Sequence, residues 1–217
     1  MNKFIFIGLF ILAVLSLASY FIVLTFFYKK LGKEKINLLN TFPYEIVSQF
    51  KTEFFYLNIL LFVSLGSTLA ALILFMSTHV SLLPMIACSL GAVFMIVSAI
   101  IPFINIKVLK EHLYADLGMI VLFFASTGFL AYYSYFVAKA YDFRNSSLII
   151  ALVVSGLLFL FALYFIFNPK LFDLNLKKNE KDELVRPKVF HLAFMEWCLI
   201  IASTLINIPL ILIASVL

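Results

Sequence analysis

Six long apolar runs, at about 4–27, 54–77, 82–104, 113–138, 147–167 and 189–217, constrain this chain more than any other feature. A helix needs roughly 20 apolar residues to cross about 30 Å of hydrocarbon, and each run meets that length. The runs are too long for the strands of a transmembrane barrel, and inside lipid the helix is the other way to pair every backbone amide. The expected fold is therefore all-α: a polytopic six-transmembrane-helix bundle forming a single domain over 1–217. Composition agrees, since 65% of the residues are hydrophobic and 12% charged, against roughly 45–50% and about 25% in a soluble domain. The first run extends to Phe27, well past the usual core of a cleaved signal, and is read as a retained span.

Charge then orients the spans. The connections 28–53, 105–112 and 168–188 hold thirteen Lys and Arg, and the opposite side holds three: Lys3, Lys139 and Arg144. By the positive-inside rule the three basic connections face the cytoplasm and both termini lie outside. The net charge of +5 thus belongs beside phospholipid headgroups, with Lys29, Lys30, Lys33 and Lys35 as candidate headgroup-binding residues. Membrane lipids are the expected partners, with a protein partner as a further candidate at the mixed-charge connection 168–188. Nucleic acid is not expected. Cys88 and Cys198 fall at different depths and are read as packing residues rather than a disulfide.

Ionisable groups within spans carry the functional argument, because lipid disfavours them by several kcal/mol. Glu196 stands about 10 Å along the last span. At 100° per residue, Ser203 and Asn207 share its face, a polar stripe expected to point into the bundle. His112 and Asp116 lie four apart and so on one helical face. His191, at the start of the last span, belongs to the same membrane side, as do Glu45, Glu53 and Glu111. These residues, with Trp197, form the candidate ligand-binding set: Glu45, His112, Asp116, His191, Glu196, Trp197, Ser203 and Asn207. His191 and Glu196 are five apart, about 140° around the helix, and cannot chelate from one face. No HExxH pair, GxSxG elbow or P-loop is present. No catalytic residue, metal or cofactor is expected.

Small residues mark candidate helix contacts: Gly66-x3-Ala70 and Ser67-x3-Ala71 in span two, Ala87-x3-Gly91 and Cys88-x3-Ala92 in span three, and Ser155-Gly156 in span five.

The segment Val189-Phe190-His191-Leu192-Ala193-Phe194-Met195-Glu196-Trp197 opens the last span with a histidine followed by Glu-Trp. Pro43-Tyr44-Glu45 follows the first span, and Asn105 and His112 flank the short central connection. Together these resemble the Frag1/DRAM/Sfk1 family of six-span membrane proteins; a related uncharacterised prokaryotic family fits comparably. The resemblance implies a role in membrane lipid organisation, with His112, His191, Glu196, Trp197 and Glu45 as the recurring polar positions. It also implies cytosolic termini, opposite to the lysine count, and both orientations stay open. The expected function is a non-enzymatic membrane protein that organises or senses lipid through a polar intramembrane pocket. A small-molecule or ion transporter subunit and a membrane-embedded lipid hydrolase are the alternatives.

Overall fold

The structure, a computed structural model, describes residues 3–30, 39–43, 54–103, 109–172, 177–178, 184–185 and 189–217. Glu45, Glu53, Lys33 and Lys35 lie outside the described residues, and of Lys30 and Glu111 only the backbone is described.

The described chain is all-α apart from one two-residue ladder. Its helices are α1 (Lys3–Lys30), α2 (Phe54–Thr78), α3 (Leu82–Ile100), α4 (Leu109–Ala140), α5 (Ser146–Ile166), α6 (His191–Leu205) and α7 (Asn207–Ala214). Short 3₁₀ turns follow α3 (Ile101–Phe103) and α5 (Pro169–Phe172). Six segments are long and apolar enough to cross a membrane: Lys3–Phe27, Tyr56–Thr78, Leu82–Phe103, His112–Ala140, Ser146–Ile166 and His191–Ala214. The protein is an integral, multi-pass membrane protein. Within the 168–188 connection, Lys177 and Lys178 pair antiparallel with Val185 and Leu184.

Local chemistry sets the turns. Between α2 and α3, His79 N–H donates to Phe75 O at 3.0 Å and Ser81 N–H to His79 O at 2.9 Å. Pro84 follows within the first turn of α3, where its missing N–H has no intrahelical partner to lose. Between α4 and α5, Asp142 and Phe143 adopt left-handed backbone at φ 51° and 54°. Phe143 N–H thereby reaches back to Ala138 O at 2.9 Å. Asn145 then caps α5, its side chain accepting from Ser147 N–H at 2.9 Å.

Helices α1 to α5 pack in chain order, each against the next, and the last span lies against α1, α2, α4 and α5. That span is also the most buried of the six. The reason is chemical: Glu196, Ser203, Thr204 and Asn207 all lie on it and all are buried. Lipid can hydrogen-bond none of them, so the polar span takes the interior. The last span is not one straight helix but two, α6 and α7, with Ile206 between them. Pro209 explains the break: it has no N–H for Leu205 O, and its ring crowds that carbonyl. Asn207 Nδ2 compensates by donating to Thr204 O at 3.0 Å and to Thr68 Oγ1 of α2 at 2.9 Å.

Other helix pairs use single hydroxyls. Ser64 Oγ donates to Ala13 O at 2.9 Å, Ser126 Oγ to Ala87 O at 2.8 Å, and Ser155 Oγ to Ser134 Oγ at 3.3 Å. The small-residue pairs divide. Ser67, Ala71, Ala87, Cys88 and Gly91 are buried, whereas Gly66 and Ala70 point outward. Cys88 and Cys198 are free thiols.

A Cβ added at Gly91 would stand 2.8 Å from Ser126 Oγ and 3.1 Å from a Leu72 methyl, while one at Gly66 meets nothing within 4 Å. Gly91→Ala is therefore expected to destabilise the bundle by about 1–3 kcal/mol through overpacking. Gly66→Ala is expected to be neutral or slightly stabilising. Unfolding titrations of both variants in mixed micelles check the contrast.

Candidate functional site

The start of α4 and the first two turns of α6 meet at one end of the bundle. There His112 Nε2 and Glu196 Oε1 share a hydrogen bond of 2.6 Å, a contact between residues 84 apart in the chain. Asp116, one turn along α4, places Oδ2 3.8 Å from the same His112 nitrogen. That is too far for a hydrogen bond. All three side chains have no solvent-accessible surface. Neither Asp116 oxygen, nor His112 Nδ1, has a hydrogen-bond partner among the described residues.

The trio is held from both helices and from above. On α4, the i, i+4 spacing stacks Asp116 beneath His112. On α6, Trp197 follows Glu196 and turns to the neighbouring face, where its Nε1–H donates to Thr41 O at 2.7 Å. Phe190 N–H, just ahead of α6, donates to Leu39 O at 2.7 Å. These two bonds fold Leu39–Pro43 over the end of the site. Phe42 fills the lid, edge-on to His112 with ring centroids 5.1 Å apart and edge-on to Phe190 at the same distance. Trp197 itself packs against Tyr20 and Phe21 of α1, at 6.2 and 5.7 Å between centroids.

The sequence-derived candidates divide accordingly. His112, Asp116 and Glu196 converge, and Trp197 buttresses them through the lid. His191 stands half-buried at the first residue of α6, outside this trio. Ser203 and Asn207 are buried on the stripe, as their spacing implies. Their described bonds are structural: Ser203 Oγ donates to Ile200 O at 2.6 Å, and Asn207 holds the kink. Asn207 Oδ1 has no hydrogen-bond partner among the described residues. Lys29 is exposed at the end of α1. Phe42 and Thr41 were not foreseen. A main-chain carbonyl acceptor leaves no side-chain signature, and one phenylalanine among 26 carries no mark of its contact.

When all three groups are ionised, the trio carries two negative charges and one positive. Such an arrangement in a water-excluded site calls for one more positive charge, as a proton or as a cation. Its chemistry is that of proton holding or cation ligation.

The third histidine, His79, lies at the far end of the bundle and forms a separate feature. Its ring stacks on Phe75 at 4.0 Å between centroids, and Nδ1 lies 3.1 Å from Phe75 O. Burial lowers its pKa from the ordinary 6.5, against the opposing pull of the Phe75 carbonyl. The folded value thus lies below the unfolded one. The neutral ring's contribution to stability is complete above pH 6.5 and is lost as pH falls through the folded value. An NMR titration is expected to give a His79 midpoint below 6.5, and His79→Gln to reduce the loss of stability on acidification. Trp197→Phe removes the donor to Thr41 O and is expected to cost about 1 kcal/mol. Faster proteolysis at the Leu39–Pro43 lid, compared with the parent protein in the same detergent, checks it.

Comparison with protein-family models, with curated proteins and with solved structures finds no match, so the likeness to the Frag1/DRAM/Sfk1 family stands on the quoted residues alone.

Proposed function

We propose that this chain is a non-enzymatic membrane protein that organises or senses lipid, taking an anionic phospholipid at the lysine-bearing end of α1. One observation carries the reading: a shallow groove of about 430 Å³ lined by Phe21, Ile22, Thr25, Phe26 and Lys29. Its walls suit an acyl chain, and the Lys29 ammonium at its end suits a phosphate. Thr25 Oγ1 donates to Phe21 O at 2.8 Å, so its hydroxyl is satisfied within α1 and leaves the wall apolar.

Phe21 gives the groove a route inward. Its ring contacts Trp197, which latches the lid and neighbours Glu196. A lipid pressing on Phe21 therefore bears on Trp197, a side chain that joins the first connection to the last span. Lysine-rich connections at this same end favour a cytoplasmic placement, where anionic lipid is concentrated. The 168–188 connection is then the cytoplasmic surface offered to a protein partner.

Each juxtamembrane lysine contributes about 1 kcal/mol to anionic-lipid binding, roughly a fivefold change in affinity. Native mass spectra of protein released from membranes containing phosphatidylserine and phosphatidylcholine are expected to show retained phosphatidylserine. Retention is expected to fall at least about fivefold in Lys29→Glu, which removes the positive charge and adds a negative one. Equal retention of the two lipids, or no change on Lys29→Glu, overturns the proposal. Solute uptake by proteoliposomes without lipid retention would replace it with transport.

A further inference from the structure

The geometry points to a divalent-cation site of the zinc class at His112 Nε2, Glu196 and Asp116, pinning α4 to the last span beneath the Phe42 lid. Each residue offers one ligand atom, and the three atoms lie within 4.8 Å of one another. Imidazole nitrogen with carboxylate oxygens is a donor set that suits Zn²⁺ and neighbouring first-row ions.

Three observations support an ion here rather than a hydrogen bond alone. The first is charge. Two carboxylates and a neutral imidazole balance a dication in full, whereas one imidazolium balances one carboxylate and leaves the other to be neutralised by a proton. The second is Asp116: its side chain is wholly buried, its oxygens meet no hydrogen-bond partner among the described residues, and Oδ2 is aimed at the His112–Glu196 pair. A carboxylate with no partner in a water-excluded site is expensive unless something is to bind it. The third is distance. Ligands at about 2.0–2.2 Å from one tetrahedral zinc ion stand about 3.3–3.6 Å apart, so the 3.8 Å between His112 Nε2 and Asp116 Oδ2 needs only a small contraction. On the other side, His112 and Glu196 at 2.6 Å must part slightly as the bridging proton leaves. Ion and proton therefore compete for the same space, and binding weakens as pH falls.

The covering of the site indicates a structural role. A catalytic zinc keeps an open position for water or substrate, whereas here the Phe42 ring lies against His112 and the main-chain bonds at Leu39 and Thr41 hold the lid down. Entry requires that lid to lift, so loading is expected to be slow and release slower.

The test uses the full-length protein in mild detergent, stripped with a chelator, dialysed, and titrated with Zn²⁺ alone. One equivalent is expected to bind, more tightly at pH 8 than at pH 6, and to raise the melting temperature. Asp116→Asn keeps the side-chain shape and is expected to weaken binding at least 100-fold with helicity and elution volume unchanged. Failure of the parent protein to bind Zn²⁺ below 100 µM, or unaltered binding in a folded Asp116→Asn variant, overturns the inference. Should that variant fail to fold, zinc-edge X-ray absorption of the loaded parent protein decides. One imidazole with oxygen neighbours supports the site, while sulfur or several imidazoles rule it out. Lipid retention by the zinc-free protein reads the Lys29 groove separately, so either proposal can fail without the other.

Discussion

The bond between His112 and Glu196 is the contact on which the arrangement of this bundle turns. A membrane supplies no water to hydrate a carboxylate and no hydrophobic drive to bring helices together. Once Glu196 is placed in the last span, that span must find a polar partner on another helix. His112 is that partner, and meeting it draws the last span in from lipid to lie against four others. The buried position of the last span is thus a consequence of its polarity. The more uniformly apolar helices, α1 and α5, remain at the periphery with large side chains turned outward, among them Phe4, Phe26, Leu157 and Tyr164.

The same reasoning accounts for the middle of the bundle, where polarity is lower but the backbone is disturbed. Pro209 interrupts the last span in its interior, a fault that would be costly in a helix exposed to lipid. Asn207 repairs part of it by donating to the carbonyl of Thr204 and ties the segment to Thr68. Elsewhere, close approach of backbones replaces strong polar contacts. Gly91 lets α3 come near enough for Ser126 to reach the Ala87 carbonyl.

Much of this was legible in the chain itself. Span number and limits follow from length and apolarity, and the structure places their ends within a few residues of where composition put them. The inward stripe of Glu196, Ser203 and Asn207 follows from helical spacing, as does the shared face of His112 and Asp116. What spacing could not supply was the meeting of the two faces, which depends on the packing order of spans 84 residues apart. Proximity to the same membrane end put His191 in the candidate group, yet the trio of His112, Asp116 and Glu196 forms without it. Gly66 and Gly91 carry the same local pattern but differ in outcome, because only a neighbouring helix determines whether a small residue is packed or merely small. The lid was invisible for another reason: its anchors are the carbonyls of Leu39 and Thr41, groups that every residue possesses.

The Trp197–Thr41 bond also has a bearing on the order of assembly. Its two ends are 156 residues apart, so the segment after the first span is made long before its anchor exists. The first five spans can enter the membrane and pair with their chain neighbours, but they surround a place that only the last span fills. Until then His112 and Asp116 face an incomplete interior, and the first connection has nothing to close upon. A ribosome that stalls before the last span leaves these polar groups uncovered, the kind of surface by which quality-control factors distinguish unfinished membrane proteins from finished ones.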